Sequence, residues 1–224
     1  MTVTTYATYL YLDELLSLQR PMTPAEEQDL SDSERLFIVV HQASETLLSQ
    51  VLVDLRHIEA GCCRERCYAY RTERAIRLID SLDGQLTLLR RTLRREDFLL
   101  FRDRFGTASG LQSEQFSELF DLTDRLTAPD GDLGGDLSGD GAGDLTGDLS
   151  GDGTERPVRH GRFDALREAV QRWRRTHLEL VEHMLGDRTG TGETSGVRFL
   201  RDRLESREPD GGRRVTPVGQ RTRS

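Results

Sequence analysis

The amino-acid sequence predicts an all-α fold, a helical bundle interrupted by one long, disordered acidic insert. Apolar residues recur at intervals of three and four over long stretches, which is the period of a helix with one buried face. No stretch of useful length alternates apolar and polar residues as a strand does. A tract rich in glycine and aspartate breaks the helical pattern after residue 128.

The first half of the chain predicts one short and two long helices. The short helix, over 10–18, ends before Pro21, because proline disfavours the helical conformation at the preceding residue. From Ser33 the apolar positions keep helical spacing as far as Gly61, a residue suited to ending a helix. A second long helix is predicted over about 64–93, with isoleucine and leucine on one face.

The second half predicts a short amphipathic turn or helix over 98–105, followed by a longer helical segment over 112–126. Helix resumes at about Arg162 and runs to Leu185, and a last short helix is predicted over 197–204. The remaining tail has almost no apolar residues and is predicted to be disordered.

We therefore expect one helical domain in two parts, 1–128 and 161–207, with an acidic linker over 129–160 and a disordered tail over 208–224. From 129 to 153 the chain carries seven aspartates and no arginine. Such low complexity is typical of a flexible insert, and a weak calcium-binding patch is the alternative. The rest of the chain is close to neutral and shows no nucleic-acid-binding pattern.

Composition predicts a cytoplasmic protein that does not interact with membranes. The mean hydropathy of the 224 residues is -0.58, and no apolar run approaches the roughly 20 residues of a membrane span. The N-terminus lacks the pattern of a secretion signal. Three clustered cysteines, Cys62, Cys63 and Cys67, suit reduced thiols better than a disulfide framework.

Two histidines lie within apolar helical stripes and are candidate ligands. His177 follows Trp173 by one turn, and His41 follows Phe37 by one turn on a different predicted helix. A single histidine in such a setting is usually a core or interface residue. Two of them favour a cofactor buried between the helices, since neutral imidazole is the common axial ligand of haem iron. Both interpretations stay open on the pattern alone.

Arg102 follows an apolar segment, and its side chain has two interpretations. Its stem could lie along apolar surface while the head pairs with Asp103 or Glu96, or its planar fork could bind a carboxylate at a cavity. The loop over 189–196 is rich in glycine and hydroxyl groups, which suits either a loose connector or a lid over a polar ligand.

Four separated segments carry a more specific signal. They read YATYLYLDELLSLQ (6–19), LFIVVHQASETLL (36–48), FLLFRDRFGTASGLQSEQF (98–116) and WRRTHLELVEHMLGDRTGTGETSGVRFL (173–200). In this combination and order they resemble the tryptophan 2,3-dioxygenase family, in a shortened and divergent form. The resemblance implies a helical bundle enclosing haem b, with dioxygen as co-substrate.

The resemblance also implies roles for individual residues. His177 would be the axial ligand of the haem iron, with Trp173 beside the cofactor, and His41 would be the distal catalytic histidine near the indole nitrogen. The implied reaction inserts both atoms of dioxygen across the indole C2–C3 bond of L-tryptophan, or of a modified tryptophan, and yields N-formylkynurenine. That reaction belongs to tryptophan catabolism by the kynurenine pathway.

The remaining implied residues bind substrate. Phe37 would line the pocket, Arg102 would clamp the carboxylate, and Thr191 would help to hold the amino acid group. Tyr6 and Tyr9 would reach the site of a neighbouring subunit, which implies a homo-oligomer, either a dimer or a tetramer. Two alternatives remain: a haem-dependent monooxygenase of an aromatic amino acid in specialised metabolism, and a non-catalytic haem-binding relative.

Overall fold

The computed structural model describes residues 4–61, 64–128, 155–186, 188, 197 and 201, and within these residues it contains helices and no strands. The prediction of an all-α fold is therefore confirmed. Two 3-10 turns, Arg102–Phe105 and Gly110–Gln112, lie between the fifth and sixth helices. The α-helices are α1 (Tyr6–Tyr9), α2 (Leu12–Leu16), α3 (Gln28–Glu59), α4 (Glu65–Thr92), α5 (Arg95–Phe101), α6 (Glu114–Thr127) and α7 (Glu155–Leu185).

Four of these helices form a closed bundle. α4 packs against α3 and α7, and α6 packs against the same two helices from the other side. α3 and α7 therefore occupy diagonal positions, and α5 contacts both of them. This arrangement is a four-helix bundle with a short helix bridging its diagonal pair.

The core of the bundle follows the apolar stripes that the sequence shows. Each long helix contributes residues at helical spacing, so that one face of each is buried. The buried residues of the three longest helices include Val40, Leu48, Val51, Leu52, Leu55, Ala75, Ile79, Leu82, Leu86, Leu89, Leu166, Val170, Trp173, Leu180 and Met184.

α3 is also the one described helix that is long and apolar enough, by length and composition, to cross a membrane. Its best window has a mean hydropathy of 1.4. Core helices of soluble proteins pass the same test, and much of the apolar face of α3 is packed against α4, α5 and α6.

The helix predicted over 10–18 is shorter in the structure, as α2, and a further short helix, α1, precedes it. The starts of two long helices also differ from the sequence-based prediction. α3 begins at Gln28 rather than Ser33, and α7 begins at Glu155 rather than near Arg162, inside the predicted linker. Both added stretches are polar, so apolar periodicity could not reveal them. The predicted end at Gly61 is confirmed: this glycine has a φ of +67°, a backbone conformation in which a side chain is strained.

A buried carboxylate explains how the N-terminal segment is held on α3. Glu34 is 1% exposed and accepts hydrogen bonds from the backbone N–H groups of Met22 (2.9 Å) and Thr23 (2.8 Å) and from the Thr23 hydroxyl (2.5 Å). The amide of Gln42 adds a second attachment by donating to the carbonyl of Leu18 at 3.1 Å. These contacts fix the segment that leads back to α1 and α2.

A second buried carboxylate joins α3 to α4. Asp54 has no exposed surface, and it accepts hydrogen bonds from Arg71 (2.7 Å) and from two nitrogens of Arg74 (2.8 and 2.5 Å). Burial by itself raises the pKa of the Asp54 carboxyl, but the hydrogen bonds and charges of the two guanidinium groups outweigh it and lower the pKa. The carboxylate is therefore ionised and paired with both arginines.

Candidate functional site

His41 lies in the middle of α3, against an aromatic ring. Its imidazole packs on the ring of Phe37, with the two centroids 3.9 Å apart, and its Nδ1 lies 2.8 Å from the Phe37 carbonyl oxygen. Because a carbonyl oxygen only accepts, Nδ1 carries the proton of the neutral ring. Nε2 is then left as a hydrogen-bond acceptor.

The surroundings of His41 favour the neutral imidazole. Solvent reaches one side of the residue, but the protein atoms packed around the ring desolvate it and lower its pKa. The Phe37 carbonyl and the charge of Glu45 act in the opposite direction without cancelling this effect. At neutral pH the ring can therefore accept a hydrogen bond through Nε2.

His177 lies near the C-terminal end of α7, stacked in parallel with Trp173. The two ring planes differ by 6° and their centroids are 6.1 Å apart. Trp173 is itself 5% exposed and packs against Phe116 (5.1 Å) and Phe120 (6.0 Å) of α6. The indole therefore fixes one side of the histidine.

The imidazole of His177 is in the form that a metal requires. Desolvation, and then the nearby charge of His41, lower its pKa to about 4. Within the described part of the chain, its ring nitrogens make no hydrogen bond to another protein group. A neutral imidazole with an uncommitted nitrogen suits the axial ligand of a haem iron, which needs only one protein ligand. The residues present therefore fit a haem.

The two histidines face the same region of the bundle. They belong to the diagonal helices α3 and α7, and they are close enough for the charge of His41 to lower the pKa of His177. The structure thus brings together the two histidines that the sequence singles out. Two interacting imidazoles on separate helices could belong to one binding site.

Aromatic rings surround Phe37, on which His41 packs, and a buried arginine belongs to the same segment as three of them. The ring of Phe37 lies 5.9 Å from Phe98, 5.7 Å from Phe101 and 5.3 Å from Phe105, measured between centroids. Arg102 follows Phe101 in the chain and is only 8% exposed. The same segment, 98–105, therefore carries an apolar wall and a cation beside it, which suits a ligand with an aromatic and an anionic end.

Two predicted residues lie away from this region, and one lies outside the described residues. Tyr6 and Tyr9 are 76% and 71% exposed, on a helix whose main packing partner is α2. Neither tyrosine is brought to the histidines of its own chain. Thr191 lies outside the described residues, as does nearly all of the predicted short helix over 197–204.

Sequence reasoning missed two polar residues and one aromatic residue near the site. Gln115 of α6 donates a hydrogen bond to Glu45, and Phe116 stacks on Trp173. The spacing of four residues between His41 and Glu45 was a usable signal, because such residues are neighbours on a helix. Gln115 and Phe116 close the quoted segment 98–116, but the sequence assigned them no role, because their partners lie far away in sequence.

The fold and the site together define an all-α protein with two interacting histidines on diagonal helices. Comparison with known sequences places it more narrowly. A sequence model of the family described as Tryptophan 2,3-dioxygenase matches residues 1–126, which is more than half of the chain. The chain belongs to the tryptophan 2,3-dioxygenase family.

Individual relatives agree along most of the chain. The Tryptophan 2,3-dioxygenase of Anaeromyxobacter dehalogenans is 33% identical over 246 aligned positions, which cover 89% of this chain and 90% of the relative. That of Caulobacter vibrioides is 30% identical over 257 positions, covering 91% and 94% of the two chains. Both alignments exceed the 224 residues of this protein, so positions of the relatives are missing here and the chain is a shortened member.

Proposed function

We propose that the protein is a haem-dependent dioxygenase that cleaves the indole C2–C3 bond of L-tryptophan, or of a modified tryptophan, to give N-formylkynurenine. One observation carries the proposal. The neutral, desolvated imidazole of His177 on α7 is close enough to the neutral imidazole of His41 on the diagonal helix α3 for the two to interact electrostatically. The relatives carry the name of this activity.

His177 would hold haem b through its ring nitrogen, and Trp173 would support the ring from the side of α6. When bound, the ferrous haem would supply the oxygen chemistry. The protein would contribute a neutral ligand that is available at physiological pH, and its apolar surroundings would exclude water from the iron.

The distal side would orient the substrate. Nε2 of His41 is the acceptor in the neutral ring and would accept the hydrogen bond of the indole N–H. Phe37 would lie against the indole ring, and Arg102 would bind the carboxylate by two parallel hydrogen bonds. Holding both ends of the substrate fixes the C2–C3 bond relative to the iron, which is the contribution of positioning to catalysis.

We further propose that Thr191 helps to hold the amino acid group, and that Tyr6 and Tyr9 complete the site of a neighbouring subunit. The exposure of both tyrosines supports this proposal, since their own chain gives them little cover. Exposed leucine and tyrosine side chains continue through α1 and α2. The expected assembly is a cytoplasmic homo-oligomer, either a dimer or a tetramer, with a linker from 129 to the start of α7 and a tail over 208–224.

Haem binding and turnover can be tested separately. The full chain is titrated with haem while the Soret band is recorded, and L-tryptophan is then added to the ferrous form in air. We expect haem uptake, its loss in His177→Ala, and no loss in the control His183→Ala, a more exposed histidine on the same helix. A Soret band that is unchanged in His177→Ala would refute the ligand assignment.

The product decides between the remaining functions. With isotopically heavy dioxygen, a dioxygenase adds two labelled atoms to the substrate and a monooxygenase adds one. Haem uptake without product from tryptophan, methyltryptophans or tyrosine would identify a non-catalytic haem-binding relative. That second candidate is favoured by one observation, the positions of the full-length relatives that this chain lacks.

A further inference from the structure

The first turn of α6 contacts both of the helices that carry the site histidines. Gln115 donates from Nε2 to Oε2 of Glu45 at 2.7 Å and to the Glu45 backbone carbonyl at 3.2 Å. The next residue, Phe116, stacks on Trp173, whose indole in turn is parallel to His177. The hydroxyl of Ser113 caps this turn by accepting a hydrogen bond from the Phe116 N–H at 3.3 Å.

Glu45 lies one helical turn after His41 on α3, so the two side chains are neighbours on the helix surface. The charge of Glu45 favours the protonated form of the imidazole and raises its pKa against the effect of desolvation. The ionisable group that acts on His41 is thus Glu45 from its own helix, while His41 in turn lowers the pKa of His177 on α7. The segment 98–105 faces Phe37, which packs on the imidazole, with phenyl rings, and it also carries the buried cation of Arg102.

We propose that Glu45, held in place by Gln115, is a positioning residue for His41 that keeps its imidazole basic enough to accept a hydrogen bond from the substrate. The role in substrate binding rests on the proposed function, but the effect on His41 does not. Glu45 touches neither iron nor substrate and acts through the imidazole alone.

The two hydrogen bonds of Gln115 explain why the carboxylate stays beside the site. A partly buried glutamate with no partner would turn towards water, where the high dielectric constant weakens its effect on a neighbouring charge. The Gln115 Nε2 group donates to both the carboxylate and the backbone carbonyl of the same residue. This double contact fixes the amide and, through it, the charge.

The test is a histidine titration of the full chain followed by nuclear magnetic resonance. The signal of His41 is assigned from its absence in His41→Gln. Its titration midpoint is then compared in wild type, Glu45→Gln and Gln115→Leu. Glu114→Gln is the matched control, because it removes an exposed carboxylate from the same turn of α6. Urea unfolding of each variant verifies that the chain is folded.

We expect the midpoint of His41 to move to lower pH in Glu45→Gln and in Gln115→Leu, and to stay unchanged in Glu114→Gln. An unchanged midpoint in folded Glu45→Gln would overturn the proposal. A shift in Glu45→Gln without one in Gln115→Leu would overturn the role of Gln115.

The haem-loaded enzyme provides a second readout. Loss of the Glu45 carboxylate or of the Gln115 amide is expected to raise KM for L-tryptophan more than it changes kcat. It is also expected to move the acid limb of the pH profile of kcat/KM to lower pH. Midpoint shifts in a chain that turns over no tryptophan would leave Glu45 and Gln115 in their proposed roles and refute the proposed function instead.

Discussion

The pKa of His177 makes the stability of the haem-free protein depend on pH in a defined window. The folded chain holds this pKa at about 4, against 6.5 for an ordinary histidine. Between these values the unfolded state binds more protons than the folded state, so stability rises with pH. His177 therefore lowers the free energy of unfolding very little above pH 6.5 and by a growing amount as the pH falls towards 4.

The magnitude follows from the two pKa values. Their difference of about 2.5 units corresponds to roughly 3.4 kcal/mol once the pH lies below both. At pH 5.5 only part of this is lost, about 1.3 kcal/mol relative to pH 7.5. Solvent reaches part of the His177 residue, so these figures are upper values.

The assay is urea unfolding of the haem-free chain at pH 7.5 and pH 5.5, for wild type and His177→Gln. Other titrating groups, including His41 and Asp54, are present in both proteins, and to a first approximation their contributions cancel in the difference. We expect wild type to lose about 1 kcal/mol more than the variant on acidification. An equal loss in the two proteins would refute the depressed pKa of His177 and the neutral ligand inferred from it.

Three further predictions concern the bundle around the site. Asp54→Ala should lower the free energy of unfolding by about 3 kcal/mol, because it leaves two guanidinium groups without their buried partner. A urea midpoint like that of wild type would contradict this pairing. Gly61→Ala should destabilise the fold by about 1 kcal/mol, because Gly61 has a φ of +67°. Gly84→Ala, inside α4 with open space around it, should instead stabilise the fold by about 0.5–1 kcal/mol. Thermal midpoints of the two variants that shift in the same direction would refute this reasoning. Trp173 is the only tryptophan of the chain, so haem bound beside it should quench the intrinsic fluorescence, and undiminished emission at full Soret intensity would place the haem elsewhere.

Local patterns predicted the main helices because helix formation depends on residues three and four apart. The buried stripes of α3, α4 and α7 follow that period, and Gly61 ends α3 where predicted. The burial of Glu34 could not be predicted in this way. Glu34 looks like a surface residue in sequence, and its burial depends on hydrogen bonds from Met22 and Thr23, which no periodicity records.

The residues of the candidate site also fall into those that the sequence could name and those that it could not. His41, His177, Arg102 and Phe37 could be named from the sequence, because the resemblance to a family lies in short phrases around each of them. Their roles remain proposals. Gln115 lies in one of the same phrases, but its role could not be assigned, since its contact with Glu45 joins residues that are 70 positions apart.

The sequence by itself determined that the protein is helical, which faces of the long helices are buried, and to which family it belongs. Only the tertiary structure decided that α3 and α7 lie on a diagonal, so that His41 and His177 act on each other's charge. It also decided that the first turn of α6 supports both sides of the site. The physical reason is range: helical periodicity is a local property, whereas desolvation, stacking and charge coupling depend on which helices pack together.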